Sequence, residues 1–250
     1  MSKVVGMIPA RWKSTRFPGK PLHPIAGRPL LQHVWEQCLR AKALDSVIVA
    51  TDDMRIAEAA FAWGAEVCLT KAEHVSGTDR IAEVVKKMRD VSHVINIQGD
   101  EPLVEPRLLN QLARRLQRDP KIEMITAVHP FAIAADAQSP HQVKAVLDRK
   151  GRALYFSRSL IPYPREDSQA IRYYRHQGIY GYRRDVLLRL VRWPPGPLER
   201  AEALEQLRAL ENGVNIHVVV TESGSPGVDT PEDVPAIERQ LLARARRPRQ

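Results

Sequence analysis

The first half of the chain alternates between short apolar runs and segments in which apolar residues recur at every third or fourth position. The apolar runs predict buried strands at residues 4–8, 46–51, 66–70 and 93–99. The helical spacing predicts helices that start near residue 29 and cover residues 55–63, 79–88 and 107–116. Strands and helices that alternate over short links predict an α/β fold with a parallel, mostly three-layer sheet. In such a sheet, ligands bind beyond the carboxyl ends of the strands.

The second half is less regular. Its alternating or apolar segments predict strands at residues 123–131, 142–148 and 215–221. Residues 198–213 predict one helix with leucines on a single stripe, ended by Gly213, and a last helix opens at Thr230 and Pro231. We find no repeat or clean linker, so we predict one domain over residues 1–250. An inserted or protruding substrate-side lobe falls within about 130–215, and residues 243–250 form a solvated basic tail.

Composition narrows the class of protein. The chain has 250 residues, 44% of them hydrophobic and 27% charged, which is typical of a globular protein that does not enter a membrane. No apolar run approaches the roughly 20 residues that span a bilayer, and the first residues lack the layout of a signal peptide. Cys38 and Cys68 lie in apolar patterns and are expected to be small buried hydrophobes in a reducing compartment, the cytoplasm.

A net charge of +9 is compatible with a protein that binds nucleic acid. Much of the excess lies in one loop near the start and in the terminal ARARRPRQ. The chain has no paired C-x-x-C motifs, no RNP-like strand and no heptads beside a basic region. We therefore predict no nucleic-acid partner, and a basic nucleic-acid-binding module stays as the alternative from another class.

The loop in IPARWKSTRFPGKPL, at residues 8–22, carries the strongest chemical signal. Four cations lie within ten residues directly after a buried strand: Arg11, Lys13, Arg16 and Lys20. Prolines and a glycine stiffen the loop, and guanidinium and ammonium groups are suited to phosphate. The spacing is not that of a Walker-type cradle. We predict a phosphate-binding loop, with a merely solvated basic loop as the alternative.

Two aspartates are candidates for a metal site. Asp100 follows the strand at 93–99, and Asp229 lies in a glycine-flanked turn just before a helix that Thr230 can cap. Magnesium prefers one or two carboxylates together with phosphates and water. Ordinary turn formation or capping is the alternative for each residue alone. Together with the basic loop, the pair predicts nucleotidyl or phosphoryl transfer, in which the protein positions the reactants and neutralises charge.

Other polar positions stay ambiguous from residue chemistry. The segment HVSGTDR, at residues 74–80, has two interpretations. Either Ser76 or Thr78 caps the following helix, or the segment contacts a nucleotide base. In the second case Arg80 is the residue that faces the ligand. Arg158 and His176 come from the irregular half, where isolated polar residues are usually satisfied within the protein. Tyr180 has the spacing of a core residue.

The motifs together resemble the 3-deoxy-manno-octulosonate cytidylyltransferase family. The matching stretches include IPARWKSTRFPGKPL, VATDD, NIQGDEPLVEP, ALYFSRSLIPYPR, RHQGIYGYRRDVL, LEQLR and GVDTPEDV, from the first strand to the last helix. The resemblance implies a Rossmann-like nucleotide-diphosphosugar transferase fold and a homodimer, with the lobe at about 130–215 serving the sugar and dimerisation. It also implies Mg²⁺-dependent transfer of CMP from CTP to 3-deoxy-D-manno-octulosonate (Kdo), with release of pyrophosphate. The alternative is a cytidylyltransferase for another sugar acid, an 8-amino Kdo analogue or a sialic acid. A nucleotide-binding protein without catalysis is a third option.

The resemblance also implies roles for individual residues. The triphosphate and cytidine of CTP would be bound by Arg11, Arg16, Lys20, Ser76, Arg80 and Gln98. Magnesium would be bound by Asp100 and Asp229, which with Lys20 are the residues assigned to catalysis. The sugar acid would be bound by Arg158, His176, Tyr180, Glu205 and Gln206, with Arg158 as a partner for its carboxylate.

Overall fold

The computed structural model describes residues 2–13, 16–165 and 171–245. Its strands are β1 (Lys3–Ala10), β2 (Pro24–Ile25), β3 (Arg28–Pro29), β4 (Ser46–Thr51), β5 (Glu66–Leu69), β6 (Val91–Asn96), β7 (Met124–Pro130), β8 (Lys144–Leu147), β9 (Ala153–Ser157), β10 (Tyr174–Arg183) and β11 (Ile216–Val220). Its α-helices are α1 (Leu30–Leu39), α2 (Met54–Ala62), α3 (Gly77–Lys87), α4 (Pro106–Arg118), α5 (Arg184–Leu190), α6 (Pro197–Glu202), α7 (Gln206–Glu211) and α8 (Val234–Ala245).

Residue contacts divide the chain into two compact units. The first holds the described residues of Met1–Ala113 and Ser225–Gln250, and the second holds Arg114–Gly224. The whole segment predicted as a lobe falls within the range of the second unit. The prediction of a single domain stays a prediction. No helix in the described part of the chain is long and apolar enough to cross a membrane.

The first unit carries a parallel sheet with the strand order β6-β1-β4-β5. Strand β1 pairs with β4 on one side and with β6 on the other, with Val5 opposite Ser46 and Val94. The chain thus moves outward from β1 to β4 and β5 and then returns to the far side of β1. Parallel sheets bind ligands at the point where the strand order reverses, beyond the carboxyl ends. The loops that follow β1 and β6 leave the sheet at this point.

Burial explains why these strands read as continuous apolar runs. In β1 the side chains of Val4, Val5, Met7 and Ile8 are completely buried, as strands covered on both faces require. Cys38 is fully buried, as predicted, whereas Cys68 is partly exposed. The four strands and four helices predicted in the first half are all present, with bounds shifted by up to a few residues.

The second unit has a mixed sheet. Strand β7 pairs antiparallel with β10 and parallel with β11, while β8 pairs antiparallel with β9 and β10. The predicted strands at 123–131, 142–148 and 215–221 are confirmed as β7, β8 and β11. Strands β9 and β10 were not predicted. In YRHQGIYGYR, glycines and charged residues interrupt the alternation of apolar residues that indicates a strand.

The single helix predicted over residues 198–213 is wrong, because the segment forms α6 and α7 with a break at Ala203, which has a positive φ of 50°. In a continuous helix, residues 199 and 208 would be about 13.5 Å apart along the axis. The break instead lets the Arg208 guanidinium donate to the Glu199 carboxylate at 2.7 and 2.5 Å, and both side chains are buried. Gly213, with a φ of 77°, ends the second helix as predicted.

At the end of the chain, Thr230 caps the last helical segment as predicted, through a capping box with Asp233. Helix α8 continues through Ala245. The first part of the predicted basic tail is therefore helical, and residues 246–250 lie outside the described residues.

Candidate active site

A cavity of about 250 Å³ lies in the first unit, at the carboxyl ends of β1 and β6. Its walls include all eight residues predicted to bind CTP and magnesium: Arg11, Arg16, Lys20, Ser76, Arg80, Gln98, Asp100 and Asp229. These side chains come from four separate segments of the sequence. The structure brings them together, and their roles in binding stay predictions.

Lys20 and Asp100 form a partly buried ion pair in the cavity. The Lys20 ammonium donates to Asp100 Oδ2 at 2.6 Å and to the Val228 carbonyl at 2.8 Å. The Val228 amide in turn donates to the Asp100 carbonyl at 2.9 Å. These bonds join the loop after β1, the end of β6 and the turn before α8, so Asp229 is placed close to Asp100 by its neighbour.

Arg16 and Asp229 form a second, exposed pair, with Arg16 Nη2 3.2 Å from Asp229 Oδ1. The Asp229 carboxylate does not cap the following helix. The amides of Asp229 and Thr230 instead donate to Asp233, each at 2.8 Å. The carboxylate therefore plays no part in the cap and faces Arg16, a cation of the loop that is predicted to bind phosphate.

The chemistry of the two aspartates fits a magnesium ion. No group of three or more His, Cys, Asp or Glu within the described residues could hold a metal by itself. Asp100 and Asp229 supply two hard carboxylate oxygens on one cavity, which is the protein share that Mg²⁺ takes when phosphates and water complete its shell. A site built in this way needs the nucleotide as well as the protein.

The segment after β5 adds a capped helix and a buried arginine. Ser76 Oγ accepts from the Asp79 amide at 3.1 Å, so Ser76, and not Thr78, caps α3. Arg80 is only 3% exposed. Its guanidinium donates to Thr70 Oγ1 at 2.5 Å and lies 3.3 Å from Asp52 Oδ1. Arg80 lines the cavity but also holds the cavity wall in place.

Sequence reasoning missed several residues that shape this cavity. His74 lines it and donates to Glu83 on α3 at 2.7 Å. Gly77 and Gly99 both approach Pro9: a Cβ at Gly99 would lie 3.1 Å from the Pro9 carbonyl, and one at Gly77 would lie 3.1 Å from Pro9 Cγ. A side chain at either position would therefore force Pro9 or the glycine segment to shift by a few tenths of an ångström. Their positions in HVSGTDR and NIQGDEP are the only sequence signal.

The residues predicted to bind the sugar acid lie in the second unit. The Arg158 guanidinium donates to the backbone carbonyls of Glu202 at 2.7 Å, Pro140 at 3.1 Å and Ala203 at 3.4 Å. Three of its five N–H groups are thus used to join neighbouring segments. Only the other two N–H groups of Arg158 could bind a substrate carboxylate in this arrangement.

His176 and Tyr180 form an aromatic group on β10. The His176 ring lies 4.9 Å from the Phe156 ring and 5.3 Å from the Tyr180 ring, between centroids. Burial lowers the pKa of His176 to about 3. Burial, together with the nearby Tyr182 and Glu205, raises the pKa of Tyr180 well above its usual range. Both side chains are therefore neutral near pH 7.

The LEQLR segment contributes two polar residues at the start of α7. Glu205 precedes the helix and is partly exposed. Gln206 is 5% exposed, and its Nε2 has no hydrogen-bond partner among the described residues. A buried amide without a partner costs on the order of 1–3 kcal/mol. Such a group is typical of a site that a ligand completes.

Comparisons with known proteins give the family to which the chain is related. The sequence model of the cytidylyltransferase family matches residues 5–216. The chain is 50% identical over 242 residues to a 3-deoxy-manno-octulosonate cytidylyltransferase of Myxococcus xanthus, covering 97% of this chain and 98% of the relative. It is 47% identical over 246 residues to the enzyme of that name from Syntrophotalea carbinolica, covering 95% and 98%.

A solved structure supports the same relationship. It is that of CMP:2-keto-3-deoxy-manno-octonic acid synthetase complexed with CTP, with a TM-score of 0.94, 43% identity and coverage of 97% of this chain and 100% of that chain. A cytidylyltransferase from Leptospira borgpetersenii shares the fold at a TM-score of 0.66 and 18% identity. The predicted α/β nucleotide-diphosphosugar transferase fold is confirmed. The chain belongs to the family of 3-deoxy-manno-octulosonate cytidylyltransferases.

Proposed function

We infer that this protein transfers CMP from CTP to the C2 hydroxyl of Kdo, releasing pyrophosphate and forming CMP-Kdo for lipopolysaccharide biosynthesis. The observation that carries this function is the convergence of the phosphate-loop cations and two aspartates, Asp100 and Asp229, on one cavity. In the reaction, the hydroxyl oxygen bonds to the α-phosphorus, the bond from that phosphorus to the bridging oxygen breaks, and the hydroxyl proton is lost.

The cations bind the triphosphate in this proposal. Arg11 and Arg16 offer forked donors to phosphate oxygens, and Lys20 offers a compact charge at the inner end of the loop. Charge on the leaving pyrophosphate is neutralised by groups that are already in place, so little reorganisation accompanies the step. The cytidine is assigned to three other residues of the cavity lining, Ser76, Arg80 and Gln98.

Asp100 and Asp229 would hold Mg²⁺. When bound, the ion supplies neutralisation of phosphate charge and a lower pKa for a hydroxyl that contacts it. The present ion pairs support this assignment, because each carboxylate lies within 3.2 Å of a cation that is assigned to the phosphates. The two carboxylates therefore lie close to the cations that are assigned to the phosphates.

The sugar acid is assigned to the second unit, through Arg158, His176, Tyr180, Glu205 and Gln206. The buried, unpartnered Gln206 amide is the strongest support, because a hydroxyl or carboxylate oxygen of the ligand would satisfy it. Neutral His176 and Tyr180 are suited to hydroxyl groups. We further propose that the enzyme acts in the cytoplasm as a homodimer. The mass of the purified protein in solution tests whether it is a dimer.

Pyrophosphate release from CTP, with and without Mg²⁺, is the direct test of the reaction. We expect Kdo to be the preferred acceptor in a panel that includes an 8-amino Kdo analogue and a sialic acid. If the enzyme prefers one of the other two, that sugar acid is its substrate and the assignment of Kdo is wrong. CTP binding without release in any mixture would overturn catalysis.

The metal assignment is tested by Asp100→Asn and Asp229→Asn. Both are expected to lower turnover by orders of magnitude while the far-ultraviolet circular dichroism stays unchanged. Asp90→Asn is the matched control, since Asp90 is exposed and pairs with Lys3 away from the cavity. Near-normal turnover in either cavity variant would refute the assignment.

A further inference from the structure

A buried hydroxyl lies beside the irregular part of β10. The pairing of β10 with β7 shifts register between Gln177 and Tyr180. Thr126 of β7 is completely buried at this bulge. Its Oγ1 lies 2.7 Å from the Ile179 carbonyl, 3.3 Å from the Gln177 carbonyl and 3.0 Å from Nε2 of His176.

The number of protons at this contact fixes the direction of each hydrogen bond. A threonine hydroxyl has one proton, and carbonyl oxygens only accept. The 2.7 Å contact assigns that proton to the Ile179 carbonyl. The hydroxyl oxygen must then accept from His176, so Nε2 carries a hydrogen. The opposite arrangement would direct the proton to the ring and leave two buried carbonyls facing the hydroxyl oxygen, which is unfavourable.

The other ring nitrogen follows from this assignment. A neutral imidazole that donates through Nε2 accepts through Nδ1. Nδ1 of His176 has no hydrogen-bond partner among the residues that the structure describes. The Phe156 and Tyr180 rings pack against the imidazole and fix its plane. The low pKa of His176, caused by burial, keeps the ring neutral throughout the physiological range.

We propose that Thr126 is a positioning residue that holds His176 as the Nε2–H tautomer, so that Nδ1 accepts a hydrogen bond from a hydroxyl group of the sugar acid. The proposal rests on the proposed function, because it takes His176 as part of the sugar site. It deepens that function by stating which chemistry His176 recognises. A fixed acceptor favours a hydroxyl donor and disfavours a carboxylate oxygen at the same position.

The tautomer is tested first, in the protein without ligand, by ¹⁵N chemical shifts of the histidine rings. Wild type and Thr126→Ser are expected to show His176 with protonated Nε2 and unprotonated Nδ1 at pH 6–8. Thr126→Val, which keeps the branched shape without the hydroxyl, is expected to show a mixture of tautomers. Thr221→Val is the control, since the Thr221 hydroxyl contacts Gln177 but not His176. A protonated Nδ1 in wild type would overturn the proposal even if Thr126→Val did not fold.

The second measurement is steady-state kinetics. Because only the Nε2–H tautomer accepts through Nδ1, the KM for Kdo in Thr126→Val is expected to rise in proportion to the lost fraction of that tautomer, about twofold for an equal mixture, with an unchanged KM for CTP and restoration in Thr126→Ser. An unchanged KM for Kdo with a mixed tautomer would refute the contact to the sugar. Wild-type protein that fails to transfer CMP to any sugar acid would instead refute the proposed function and leave the tautomer result intact.

Discussion

At the scale of single residues, contacts with Trp12 hold Gly19 in the loop at residues 8–22 that is predicted to bind phosphate, called the phosphate loop below. Gly19 has a φ of 71°, its amide donates to the Trp12 carbonyl, and a Cβ there would lie 3.1 Å from the indole ring. The Arg55 guanidinium lies 3.5 Å from the centroid of the same ring and is itself paired with Asp53. These contacts fix the backbone directly before Lys20, which pairs with Asp100 in the cavity.

Gly19→Ala is therefore expected to disturb the loop in two ways. A left-handed backbone costs a side-chain-bearing residue about 1–2 kcal/mol, and the new methyl group presses on Trp12. We expect a lower free energy of unfolding and a higher KM for CTP, measured by urea denaturation and initial rates. Gly64→Ala is the matched control, with a φ of 84° and no atom within 4 Å of the added carbon. An equal rise in KM for the two variants would contradict the role of the Trp12 contact.

At the scale of elements, one glutamate ties α3 to the cavity wall before it. Glu83 accepts from the Lys71 amide at 3.0 Å, from His74 Nε2 at 2.7 Å and from Lys87 at 3.1 Å. These bonds, first the one from His74, lower the pKa of the Glu83 carboxyl from 4.5 to about 2. The charged carboxylate is therefore favoured in the folded protein.

The sign of the pH dependence follows from this lowered pKa. The stability that charged Glu83 contributes is fully present above pH 4.5 and is lost as the pH falls toward about 2. Glu83→Gln is expected to unfold at lower urea concentration than wild type at pH 7, and the difference should shrink between pH 4.5 and 3. Glu58→Gln, at an exposed position on α2, is the control. The urea concentration at which it unfolds should change with pH in the same way as that of wild type. A constant difference between Glu83→Gln and wild type down to pH 3 would contradict this assignment.

The elements that the sequence predicted well are those whose burial is simple. Strands β1, β4 and β6 are covered on both faces and show unbroken apolar runs. The break between α6 and α7 is different, because the leucine stripe continues across it and Ala203 carries no residue signal for a left-handed turn. The break accompanies the buried pair of Arg208 with Glu199, a contact that no local pattern reveals.

At the scale of the whole molecule, the predicted cavity residues converge because of strand order. Arg16, Lys20 and Asp100 follow the carboxyl ends of β1 and β6, which are neighbours at the reversal point of the sheet, so the α/β pattern was sufficient to group them. Asp229 returns from the far end of the chain. Residue chemistry paired it with Asp100 as a second carboxylate for magnesium, and the family resemblance implied the same pair, but no local pattern showed that the two segments meet. The engagement of Arg158 by three carbonyls was beyond sequence reasoning, because it depends on contacts between distant loops.

The two units also predict a division of labour that kinetics can separate. Gln206→Leu removes the unpartnered buried amide of the second unit at nearly constant volume, so it should raise the free energy of unfolding by about 1 kcal/mol. The same variant should raise the KM for Kdo at least tenfold and leave the KM for CTP unchanged. Arg16→Ala, in the phosphate loop of the first unit, should show the reverse pattern, with a raised KM for CTP alone. A Gln206→Leu protein that is less stable than wild type and has an unchanged KM for Kdo would mean that the amide serves the fold, since a group kept for a ligand costs stability until that ligand binds.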